Sequence, residues 1–155
     1  MKQLTRALVL FFIAGSTALS AQKIEAKPPA TNGNAVSQDD AVAREAAEKL
    51  AAKYSLNADQ AKQVYTIEQR KQRNLAEIEP LKTSDRSRYL AKLESLQKGT
   101  LNSIKRTLRT KEQLDLFQST QADVRTKRAE KRKELLLAKS PKEDIQAVLL
   151  EIYEE

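Results

Sequence analysis

Beyond residue 21 this chain carries glycine only at Gly33 and Gly99, and proline only at Pro28, Pro29, Pro80 and Pro141. The positions between are filled largely by Ala, Leu, Lys, Glu, Gln and Arg, which lose little freedom on entering a helix. No stretch alternates apolar and polar residues with the period of two that a half-buried strand requires. Breakers this sparse leave long helices as the available structure. The sequence predicts an all-α fold of four to five helices with no sheet.

Residues 1–21 stand apart. Lys2 and Arg6 form a cationic start, residues 7–14 are apolar, and residues 15–21 are small and weakly polar. That order is a secretory signal peptide, with cleavage expected between Ala21 and Gln22. A retained anchor is the alternative, but the apolar stretch is short against the ~30 Å of hydrocarbon it would have to cross. The expected location is therefore the periplasm, with no membrane span after cleavage. The sequence has no Cys, so neither a disulfide nor a lipid-modified cysteine is expected. Removing 21 of the 155 residues leaves about 134, enough for one domain with a modest core.

The signal holds two of the 28 basic residues and none of the 21 acidic ones, so the net charge falls from +7 to +5. A basic protein outside the cytoplasm meets anionic lipid, cell-wall polymers, or acidic and apolar segments of other proteins. Nucleic acid is not an expected partner. Tyr54, Tyr65, Tyr89, Phe117 and Tyr153 are the aromatics beyond the signal, a thin supply for base stacking.

Residues 22–36, with a Pro pair and an Asn-Gly step, read as a disordered leader, and residues 37–155 as the helical domain. Ser37 with Asp40 three residues on has the capping-box spacing, and Val42, Ala46, Leu50 and Tyr54 supply a narrow apolar stripe for helix one. Helix two starts at Asn57 with Gln60 at N3; its apolar face runs through Ala61, Val64, Tyr65 and Ile67, pauses, and resumes at Leu75 and Ile78 before Pro80. Thr83 or Ser84 is expected to open helix three, whose face includes Leu90, Leu93, Gln97, Leu101, Ile104 and Leu108. Gly99 inside it costs roughly 1 kcal/mol against Ala and is expected to mark a bend or a close helix crossing. Thr110 with Gln113 opens helix four, followed by Leu114, Leu116, Phe117 and Val124. Ser140-Pro141-Lys142-Glu143 opens a short last helix striped by Ile145, Val148, Leu149, Ile152 and Tyr153.

Two of these helix openings share a pattern, Leu56-Asn57-x-x-Gln60 and Leu108-Arg109-Thr110-x-x-Gln113, about fifty residues apart. Capping physics accounts for each one singly. As a pair in a small exported all-α chain they resemble the LTxxQ family of periplasmic proteins, which are similar to the Spy chaperone and the CpxP stress-pathway inhibitor. The resemblance spans roughly residues 50–133. Asn57 stands where the family has Thr, which keeps the cap chemistry, and Arg109 displaces the second leucine by one position. The resemblance implies a thin helical cradle, usually a homodimer, with a basic and partly apolar concave face. It implies ATP-independent holding of unfolded clients, or docking on a sensor-kinase ectodomain. Leu56, Asn57, Gln60, Leu108, Thr110 and Gln113 carry over as architectural residues.

Basic residues gather where the apolar stripes lapse: Arg70, Lys71 and Arg73 on helix two, and Arg125, Lys127, Arg128, Lys131, Arg132 and Lys133 on helix four. One reading is a solvated helix supported by pairs such as Asp123 with Lys127, each worth ~0.2–0.5 kcal/mol. The other is a cationic surface that attracts unfolded or acidic client proteins and offers the apolar stems of its side chains. A wall- or lipid-binding structural helical protein is a third possibility for the whole chain. The acidic run Glu143, Asp144, Glu151, Glu154, Glu155 either folds back on the basic helix, pairs with a second subunit, or only solubilises. With no His or Cys, and Met only at Met1, the chain lacks ligands for soft metals. No cofactor motif, phosphate loop or nucleophile elbow is present, and enzymatic activity is not expected; abundant Ser and Lys leave a Ser–Lys pair formally open.

Overall fold

A computed structural model of the chain describes residues 38–155. They form five helices and one isolated helical turn: α1 (Gln38–Lys53), α2 (Ala58–Ile78), the turn α3 (Leu81–Ser84), α4 (Arg86–Thr107), α5 (Lys111–Leu137) and α6 (Lys142–Glu151). Among the described residues there is no strand, and the fold is all-α. The signal, the leader and the Ser37 cap expected from the sequence lie outside the described residues. No described helix is long and apolar enough to cross a membrane.

α1 pairs with α2, α2 with α4, and α6 lies on both α4 and α5. The main core gathers Ala47, Leu50, Tyr54, Val64, Ile104, Leu108 and Phe117, with Leu56, Tyr65, Ile67, Leu101 and Leu114 packed around it. The Tyr54 and Phe117 rings meet tilted at 49°, centroids 6.3 Å apart.

The register of α1 corrects the sequence reading. Ala43, Ala47, Leu50 and Tyr54 are buried, while Val42 is 44% exposed. Steps of four drift about 40° around a helix each time, so a 42-46-50-54 stripe winds off the core, whereas 43-47-50-54 stays close to one line. α1 ends with Ser55 in the left-handed region (φ 49°). The Leu56 amide donates to Ala51 O at 2.9 Å and the Ser55 amide to Ala52 O, closing a Schellman turn with a serine where glycine is usual.

Asp85, not Thr83 or Ser84, caps α4, its carboxylate accepting from the Arg88 amide at 3.0 Å. The two hydroxyls are taken by the preceding turn, where both donate to Pro80 O. α6 likewise begins one residue late. Ser140 is held in the turn that ends α5, its amide donating to Leu135 O, so the extended Pro141 becomes the boundary residue with no side-chain cap. Gly99 marks no close crossing: a Cβ built there would meet nothing within 4 Å.

Candidate binding surface

Both repeated helix starts form reciprocal capping boxes. Asn57 Oδ1 accepts from the Gln60 amide and Gln60 Oε1 from the Asn57 amide; Thr110 and Gln113 do the same on α5. The structure then brings the two boxes together. Gln60 Nε2 donates to Gln113 Oε1 at 3.0 Å, and Gln113 Nε2 donates back to Gln60 Oε1 at 3.2 Å. Gln60 also donates to Thr107 O, and Gln113 to Ser55 O, so each amide bridges to the turn before the other motif. Arg109, the extra residue, contributes its own amide to Gln113 Oε1 at 2.9 Å. Both glutamines are buried, as is Leu108, and Leu56 is half-buried. A buried primary amide left without partners costs about 1–3 kcal/mol. These residues are spent on joining the α1–α2 and α4–α5 turns and offer little to a ligand.

The basic residues separate into distinct groups. Arg70 donates to Ser103 Oγ at 3.0 Å and ties α2 to α4. Arg73, Arg125, Lys127, Arg132 and Lys133 are exposed. Lys131 is half-buried and pairs with Glu134. Arg128, also half-buried, donates from Nε to Ile152 O at 2.8 Å.

Lys71 belongs to the interior. It fills the pause in the α2 stripe, 2.6 Å from Glu68 and 2.7 Å from Glu155, with the Tyr153 hydroxyl donating to Glu155 at 2.6 Å. Glu68 is fully buried, and beyond the Lys71 ammonium neither of its oxygens has a hydrogen-bond partner. Burial first, and the Glu155 carboxylate second, push the Glu68 carboxyl up to about 7. Burial pulls Lys71 down, but Glu155 and then Glu68 outweigh it and hold the ammonium above its ordinary value. Burial, then Glu155, raise the Tyr153 hydroxyl as well. The acidic run therefore folds back, but chiefly onto α1 and α2: Lys53 pairs with Glu154 at 2.8 Å, and Lys71 with Glu155.

Open surface lies at the other end of α5. No residue of that helix beyond Val124 is buried, and Leu136 and Leu137 are 59% and 76% exposed. Beside them a cleft of about 570 Å³ runs between α4, α5 and α6. Leu136, Ile145, Leu149 and Leu150 form its apolar wall, and Arg128, Arg132 and Lys142 supply cations against the single carboxylate of Glu94. A second groove of about 540 Å³ between α2 and α4 is more polar, with Arg70, Lys92, Ser95 and Gly99 on its walls. Among the described residues no three His, Cys, Asp or Glu side chains converge in a group that could hold a metal.

Sequence reasoning located the basic lapse on α5 but missed the leucines that continue it. The run Leu135-Leu136-Leu137 was the available signal. Compared with family models, with curated proteins and with solved structures, the chain matches none.

Proposed function

We propose that this chain is an exported, ATP-independent binding protein that holds unfolded, acidic and apolar segments of other proteins in the periplasm, in the manner of the LTxxQ chaperones and stress adaptors it resembles. The observation that carries the reading is the end of α5, where the solvent-exposed Leu136 lines a cleft together with Arg128 and Arg132 and the exposed Leu137 follows it in the chain. Exposed leucines this close to cations fit a partner that is greasy and negatively charged: burial of apolar surface supplies affinity, and the charges supply attraction at a distance. The paired helix starts support the same reading, because they keep the motif end of the molecule closed and rigid.

The test is a light-scattering assay on a chemically denatured client. Near-stoichiometric protein slows aggregation, and slows it less in high salt, where screening weakens the attraction. The L136S/L137S variant loses the effect at unchanged thermal stability. Protein that leaves aggregation unaltered at every ratio removes the proposal.

A further inference from the structure

We infer that the face of α4 and α5 beneath α6 is a docking surface for acidic amphipathic helices of other proteins, and that residues 142–155 occupy it as a releasable stand-in. This rests on the reading of the chain as a binding protein and names the chemistry of the partner.

α6 is ten residues long, too short to persist as a helix without a surface to lie on. It buries only Ile145, Leu149 and Leu150. Its other attachments are polar and point to what the surface accepts. Gln97 Nε2 donates to Leu150 O at 2.9 Å, Arg128 Nε to Ile152 O at 2.8 Å, and Gln121 Nε2 to Glu154 O at 2.8 Å. These donors collect main-chain carbonyls at and beyond the last turn, which a helix cannot satisfy internally. Arg86 meets Asp144 in the first turn at 2.7 Å, and Lys53 meets Glu154. The apolar floor continues through Leu90 and Leu93, which share a cleft with Ala147 and Leu150. A helix with acids in its first turn, leucine-like residues at i, i+4 and i+5, and acids after its end meets every one of these groups.

The helical part of the occupant is lightly held, whereas the chain end beyond it is anchored by the largely buried Lys71–Glu155 pair. Arg86 and Asp144 are half-exposed, as is Glu154, and pairs of that kind contribute little. The turn leading into α6 places Lys139 in the left-handed region (φ 55°), which a residue with a Cβ adopts at a cost. Tethering nonetheless gives the segment an effective concentration near millimolar. A partner in solution meets the surface only to the extent that the segment lets go.

The experiment uses the full chain and a fluorescein-labelled synthetic peptide with the sequence of residues 140–155. Hydrogen exchange reads release of α6, and fluorescence anisotropy reads peptide binding. The D144K/E154K variant cuts the ion pairs from the segment's side and leaves Arg86 and Lys53 free. Exchange across α6 rises about tenfold, and the peptide binds at least fivefold tighter than to the wild type. K139G, which relieves the turn and leaves the surface intact, moves both readouts the opposite way. Faster exchange without tighter peptide binding overturns the inference, and so does unchanged exchange in both variants. The denatured-client assay separates the two readings: tighter peptide binding with no client holding removes the proposed function alone, and client holding without peptide binding removes this inference alone.

Discussion

The two ends of α5 are built from opposite materials. At its start, Gln113, Phe117, Thr120 and Val124 follow one another at steps of four, three and four, all buried, and the Gln60–Gln113 pair closes the junction between the two helix-turn-helix halves. Beyond Val124 no residue of the same helix is fully buried, most of its charges face water, and Leu136 and Leu137 are exposed. A helix can afford such an open half only because the other half is anchored. The buried contacts are thereby confined to one stretch of the element, and the surface proposed for binding lies on the other.

The contrast is broken most sharply by truncating one residue at each end. F117A removes a ring from the main core and is expected to cost about 3–5 kcal/mol, whereas L137S, in solvent, changes stability by less than about 0.5 kcal/mol. Urea unfolding of the two variants measures both, and comparable losses would erase the distinction. Next in size, Q113A removes a cap partner and strands the buried Gln60 amide, with an expected cost of about 2–4 kcal/mol. Because the stranded partner makes up part of that loss, the Q60A/Q113A double variant costs clearly less than the sum of the singles. Additive losses would mean that the two amides do not act as a pair.

Glu68 sharpens the contrast through pH. Its folded carboxyl, at about 7, lies above the ordinary value of 4.5, so between those values the folded state holds the proton that the unfolded chain has lost. Stability therefore falls as pH rises from about 4.5 and levels off above 7. E68Q flattens that stretch of the stability profile, as thermal melts across pH will show. The smallest effect is at Gly99, where a methyl has open space: G99A is expected to stabilise α4 by about 0.5–1 kcal/mol.

What could be read from the chain alone follows the range of the interaction responsible. The caps at Asn57 and Thr110 act over three residues, and both the helix starts and the absence of strands were visible from spacing and composition. The lapse of apolar residues after Val124 was visible for the same reason. Asp85 was hidden because Thr83 and Ser84 offered equally good local caps, and only the turn at Pro80 uses them up. α1 was misregistered because regular steps of four read as a stripe along the sequence, whereas the turn of the helix carries Val42 off the face that Ala43, Ala47, Leu50 and Tyr54 share. The Gln60–Gln113 pair spans fifty-three residues, and Lys71 finds Glu155 eighty-four residues away. No local pattern reports such partners. Lys71 looked like surface charge because its burial depends on a segment at the far end of the sequence.

Hydrogen exchange on the full chain, with and without a denatured client, tests the division of labour most directly. The account predicts new protection across residues 128–137 when client is present, and no change at 56–60 or 107–113, which are already closed. Protection appearing at the paired motifs, with none at the end of α5, would contradict it.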